Sequence, residues 1–158
     1  MKRYILSILA FVAAVTISSF NSPFVAHTYK LISDPTSLGT VSNPNNWSSA
    51  GSTFTQCDIA PEDLACTIQL QSTTMAKYYH ADGSGNRILN DPAYAVANTA
   101  SDARFLEICE TFVNPRFKIL SIVAKKIVSG SVVTDTTPVI AKSSTLGSND
   151  VAYFNARH

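Results

Sequence analysis

The sequence predicts an α+β fold: a mostly antiparallel β-sheet with one helix over about residues 92–113 packed on a face, following a cleaved leader. Three observations carry this prediction. Short alternating or β-branched runs outnumber helical patterns, the runs are joined by short polar turns, and a single long apolar stripe at helical spacing lies between Pro92 and Asn114. Composition narrows the function classes as well. With 158 residues, 15% charged side chains and a formal net charge of +1, the chain is not a nucleic-acid binder held by a basic surface, and 46% hydrophobic residues are too many for a disordered polymer.

The first element is an export signal. Lys2 and Arg3 precede an uncharged run from Tyr4 to Ile17, and Ser18, Ser19, Asn21, Ser22 and Pro23 then supply the polar, helix-breaking region of a processing site. A membrane anchor needs about 20 apolar residues, and the run falls short of that. Residues 1–26 therefore read as a signal peptide cut after Ala26, and 27–158 as a single exported domain destined for the periplasm, the cell surface or the medium. No cysteine precedes Cys57, so lipid attachment at a processed cysteine is excluded. Loss of Lys2 and Arg3 leaves ten basic against eleven acidic side chains, so neither sign dominates the mature surface. No stable membrane span and no nucleic-acid partner are expected.

In the mature part, Tyr29 to Ile32 forms a short strand ending at Asp34-Pro35. Ser33 to Thr55 is rich in Ser, Thr and Asn and holds Pro35, Gly39, Pro44 and Gly51, a composition that favours turns with local side-chain hydrogen bonds. Trp47 pins this loop as an aromatic lid over the core edge; its alternative is a stacking platform for a sugar. Asn46-Trp47-Ser48 also fits the N-glycosylation acceptor pattern.

Cys57 and Cys66 flank Asp58 to Ala65, and Cys66, Ile68 and Leu70 then alternate with Thr67, Gln69 and Gln71, a strand entered through a small cysteine loop. In an exported chain the two cysteines are read as a disulfide, whose loop of about ten residues would remove denatured-state entropy worth roughly 2.5–3 kcal/mol. A structural zinc needs four ligands, which no CxxC pair and a single internal histidine, His80, do not supply. No metal or other cofactor is expected.

Met75 to His80 reads as the next strand, and Asp82-Gly83 as the turn of a hairpin returning along Arg87 to Leu89. A calcium loop through Asp82, Ser84 and Asn86 is rejected, because Arg87 stands where glycine is needed and Ala93 where a bidentate glutamate is. Asn90-Asp91-Pro92 signals a helix entry. Ala93, Val96, Ala97 and Ala100, and then Phe105, Ile108, Cys109 and Phe112, recur at helical spacing, with a break near Thr99-Ser101 and a stop at Asn114-Pro115. Cys109, on that stripe, reads as a buried thiol or a packing residue; its alternative is a nucleophile, which would need exposure and a base to form thiolate. Beyond Arg116 the β-branched residues make two or three strands, turned at Ser129-Gly130-Ser131 and interrupted at Pro138, and Val151 to Asn155 makes the last.

A resemblance rests on the leader, the short Tyr-Lys-Leu strand, Asn43-Pro44-Asn45-Asn46-Trp47, and Cys57 with Cys66-Thr67-Ile68-Gln69. In these features the first half is similar to a family of small exported Bacteroidota proteins of unknown function. That likeness implies export and a paired cysteine loop but no chemistry, and the segment after Leu89 departs from the family pattern.

The chain carries no GxSxG, HExxH, P-loop or GxGxxG motif. No catalytic residue is assigned. The best available set is His80 with Cys109 or a serine, oriented by Asp82 or Asp91. Trp47, Tyr78 and Tyr79 are the candidate binding residues, for a glycan or a protein partner, if they share an exposed patch. The expected function is a non-catalytic surface, binding or interaction protein. A small secreted hydrolase using His80 is the alternative, and an exported toxin or immunity-type protein the third reading.

Overall fold

The structure, a computed structural model, describes residues 26–49, 64–142 and 149–156. The expected leader and its cleavage lie at the edge of or outside these residues, as does Cys57. Among the described residues ten strands form two main sheets and a hairpin. The larger sheet has the order β2-β1-β3-β10-β9, from β1 (His27–Leu31), β2 (Trp47–Ser49), β3 (Leu64–Leu70), β9 (Ile140–Lys142) and β10 (Val151–Ala156). Its pairings are antiparallel except the edge pair β9 and β10. The second sheet is a meander of β6 (Arg104–Val113), β7 (Arg116–Val128) and β8 (Ser131–Thr134), and β4 (Tyr79–Ala81) and β5 (Arg87–Leu89) make the hairpin.

The core forms where the two sheets meet. Tyr29, Ile68, Leu70, Val151 and Tyr153 from the larger sheet pack with Leu106, Ile108, Ile119, Ile122 and Ala124 from the meander, closed at one end by Trp47, Met75, Tyr78 and Leu89. The opposite face of the larger sheet presents Thr28, Thr67, Gln69 and Ala152, all buried, with the Gln69 amide donating to the Thr28 hydroxyl at 3.3 Å. Strand β3 is therefore buried on both faces, which accounts for its lack of an exposed polar side.

Two β-bulges set which residues reach the core. In the β6/β7 ladder Cys109 opposes Ser121 and Glu110 opposes Ile119, so Leu120 is the extra residue. Strict alternation would put Ile119 and Ile122 on opposite faces; the bulge turns both inward and leaves Leu120 exposed. In the β3/β10 ladder Phe154 opposes Thr67 and Asn155 opposes Ala65, so Cys66 is the extra residue. The turn between β7 and β8 has positive φ at Ser129 (51°) and Gly130 (79°), the geometry of a tight hairpin with matching twist.

Two expectations need correction. The helix expected over 92–113 is only Pro92–Ala97, α1, and 104–113 is strand β6. Asp91 caps α1 by accepting the Tyr94 amide at 2.7 Å, as the entry signal requires, but Asn98, Thr99 and Ser101 are poor helix formers and Asp102 adopts a left-handed conformation with φ 54°. The spacing of Phe105, Ile108, Cys109 and Phe112 is helical only by coincidence. The same stretch pairs along its whole length with β7 through a turn at Asn114-Pro115, whose peptide bond is cis. The strand expected over 75–80 is likewise a 3₁₀ turn over Thr73–Tyr78, with β4 beginning at Tyr79. There the buried residues are Met75 and Tyr78, three apart, which is the 3₁₀ repeat and not the strand repeat.

Candidate functional site

His80, Asp82 and Asp91 lie on or beside the β4-β5 hairpin and the start of α1. Asp82 shapes the hairpin: one carboxylate oxygen accepts the Ser84 and Asn86 amides at 2.8 Å, and the other accepts the Asn86 side-chain amide at 3.0 Å. The bond from the Asn86 side chain, followed by those from backbone amides, holds the Asp82 carboxyl below its ordinary range. The hairpin turn expected at Asp82-Gly83 takes its positive φ instead at Gly85, at 83°.

His80 is held by two neighbours. Its ring stacks on Tyr94, with centroids 3.7 Å apart and planes 7° from parallel, and its Nδ1 lies 2.7 Å from Asn90 Oδ1. Asn90 is 1% exposed, and its side-chain nitrogen lies 2.8 Å from both the Lys77 and the Arg104 carbonyl oxygens. Only an NH₂ group can face two carbonyls, so the Asn90 oxygen is the acceptor and His80 Nδ1 carries the proton. In the neutral ring Nε2 then keeps its lone pair.

Behind this pair lies an ionic network. Asp135, with a fully buried side chain, accepts the Tyr78 hydroxyl at 2.5 Å, the Arg104 guanidinium and the Thr137 amide at 3.1 Å, with Lys126 Nζ at 3.7 Å. Asp102 bridges Arg104 at 2.7 Å and Lys77. Burial pushes the Asp135 carboxyl up, but the Tyr78, Thr137 and Arg104 hydrogen bonds outweigh it and its pKa falls well below the carboxylate range. Arg104 and then Lys77 lower Asp102 to about 2. Burial, and after it the bond to Asp135, raises the Tyr78 hydroxyl above its usual 10.0. These groups are paired charges that fasten the 3₁₀ turn, β6, β7 and the segment after β8 to one another.

Among the described residues, grooves open nearby. One of about 190 Å³ lies beside the His80 pair, between Lys77, Tyr79, Asn90 and Tyr94. A second, of about 280 Å³, runs between β2 and the hairpin, with Asn45, Trp47, Ser48, Asn86, Arg87 and Ile88 among its walls. The third, of about 260 Å³, lies between Pro44, Pro92, Phe105 and Cys109.

The candidate residues are thus dispersed. Cys109 lines the third groove, which His80 does not, Asp82 is turned into its own hairpin, and Asp91 caps α1. Trp47 and Tyr78 are each 1% exposed and belong to the core, with Trp47 Nε1 donating to the Val41 carbonyl at 2.8 Å; Tyr79 keeps part of its surface, between His27 and Arg87. The three do not form a common exposed patch. Asn46 of the glycosylation pattern donates its side-chain amide to the Thr40 carbonyl at 2.9 Å. Cys66 stands at the bulge of β3, and Cys109 is a free thiol of intermediate burial. Tyr94, Arg104 and Asp135 are functional side chains that the sequence does not single out, and Asn90 reads there only as part of a helix entry. No local pattern marks them, since their partners lie up to 57 residues away. Among the described residues no group of three or more His, Cys, Asp or Glu side chains is placed to hold a metal ion. No family model matches the chain, and no curated protein or solved structure matches it either.

Proposed function

We propose that the chain is an exported, non-catalytic binding protein acting at the cell surface, in the periplasm or in the medium. One observation carries the non-catalytic part. The carboxylates that would orient a hydrolase's base are already spent on the fold, Asp82 on hairpin amides and Asp91 on a helix cap, and Cys109 lines a groove that His80 does not. Export is supported by the charged start, the short apolar run and the resemblance of the first half to small exported proteins. A reactive site instead needs a nucleophile and a base within hydrogen-bond reach.

A second reading has one specific observation in its favour. Asn90 and Tyr94 fix the plane and the tautomer of His80, which leaves Nε2 available to accept a proton from a bound substrate or water. Purified protein screened against ester, peptide and glycoside substrates, beside His80→Ala, separates the two. We expect no turnover from either protein. Turnover that disappears in His80→Ala while the circular dichroism spectrum is kept would establish the hydrolase.

A further inference from the structure

We propose that the groove between β2 and the β4-β5 hairpin binds a carboxylate-bearing saccharide, with Arg87 taking the carboxylate. The inference rests on the binding-protein reading and names its ligand class. Arg87 is exposed and pairs with no carboxylate among the described residues; its guanidinium carbon lies 5.7 Å over the Tyr79 ring, and its charge also acts on His27 and Tyr29. An unpaired guanidinium presents planar donors matched to a carboxylate. Opposite it, the Asn45 side chain and the Ser48 hydroxyl stand exposed on the 3₁₀ turn and β2, without a hydrogen bond from either side chain among the described residues. On the hairpin wall the Asn86 side chain donates its nitrogen to Asp82, which leaves its oxygen as an acceptor.

The groove therefore holds both donors and acceptors, and Ile32, Ile88 and Trp47 add apolar lining. A sugar ring has the same make-up, since its hydroxyls both donate and accept and its C–H faces are apolar. The Asp82 carboxylate in the same wall is directed at three donors of its own turn, so Arg87 stays available for the ligand. The walls are also preformed. Trp47 Nε1 is bonded to Val41, and the Ile32 amide donates to the Asn46 carbonyl at 2.9 Å, which limits the ordering cost of binding.

The test is a titration with a glucuronate-containing tetrasaccharide and with its carboxyl-reduced neutral counterpart, followed by calorimetry and by the emission of Trp47, the sole tryptophan. We expect the acidic sugar to bind with a shift in emission. The neutral sugar, Arg87→Gln with the acidic sugar, and Asn45→Asp with the acidic sugar should each bind at least ten-fold more weakly. No binding of the acidic sugar at millimolar concentration, or equal binding of the two sugars, or full affinity in Arg87→Gln, overturns the proposal. Reducing-end assays on the same samples keep the two readings apart: new reducing ends would overturn the non-catalytic reading, whereas absent binding without cleavage removes only the ligand class.

Discussion

Asn155 is the residue on which the contact between the two sheets depends most directly. Its side chain accepts the Ile119 amide and donates to the Ile119 carbonyl, both at 2.9 Å, so one buried amide serves as a strand partner for a stretch of β7 that β8 does not reach. Tyr153 adds a hydroxyl bond to the neighbouring Leu120 carbonyl at 3.2 Å. Asn155→Leu would leave a backbone donor and an acceptor unsatisfied in the core, a loss of about 2–4 kcal/mol, readable by urea denaturation. A loss under 1 kcal/mol would mean that water replaces the amide. His27 is a second residue with a testable signature. Burial, and after it the charge of Arg87, lowers its pKa below the ordinary 6.5. Between that folded value and 6.5 the unfolded chain binds a proton that the folded chain does not, so His27 lowers stability as pH falls below 6.5 and has no such effect above it. His27→Phe, which preserves the edge contact with Tyr79, should therefore flatten the dependence of the melting temperature on pH just below 6.5.

At the scale of elements, the turn-rich segment between β1 and β2 is ordered by a carboxylate far along the chain. Glu110 on β6 accepts the Gly39 amide at 2.5 Å through one oxygen and the Val41 and Ser42 amides at 2.9 Å through the other. Val41 in turn receives the Trp47 indole, and Pro35 receives the Phe117 amide at 2.7 Å. Removing the carboxylate in Glu110→Ala should cost about 1.5–3 kcal/mol, the range for hydrogen bonds to a charged group. It should also shift the Trp47 emission to the red as the segment loosens. Unchanged emission with unchanged stability would show that the loop's own turns suffice. The cysteine loop entering β3 is tested at this same scale. Non-reducing peptide mapping should recover Cys57 joined to Cys66 with Cys109 as a thiol, and Cys57→Ser should lower stability by roughly 2.5–3 kcal/mol. A bridge containing Cys109 contradicts this pairing.

Across the whole molecule, polar groups do much of the work of joining layers. The pairs around Asp135 and Asp102 tie four segments together, and both carboxyls are held below their ordinary 3.8. Their folded values lie lower than the unfolded ones, so their stabilisation is complete above about pH 4 and is lost as pH falls toward 2, the value for Asp102. Acid unfolding should thus come in two parts, a shallow one beginning at 6.5 that His27→Phe removes and a steep one below 4 that Asp135→Asn weakens. Asp135→Asn leaves Arg104 and Lys126 without their buried counter-charge and should destabilise the protein at neutral pH, the same sign that pairing predicts.

Much of the chain could be read locally because the information there is local. The Asp91-Pro92 cap, the polar turns at 82–86 and 129–130, and the short strands around Tyr29, Ile68, Ile88 and Val151 depend on side chains a few residues apart, and each lies where its own chemistry puts it. Strand β6 is different. Its apolar residues satisfy a helical repeat, and what makes it a strand is a partner, β7, that supplies a backbone ladder along its whole length. The bulges at Leu120 and Cys66 are likewise invisible in one strand, since an extra residue exists only relative to the strand opposite. The same holds for the candidate site: the tautomer of His80 depends on Asn90, Asn90 depends on the carbonyls of Lys77 and Arg104, and Asp135 gathers its partners from three other elements. Sequence alone determined the β-rich class and the local turns and caps, because those follow from neighbouring side chains. Tertiary structure alone decided the extent of the helix, the facing of the core strands and which polar groups remain free, because hydrogen bonds between distant segments choose among conformations that local preference leaves nearly equal in energy.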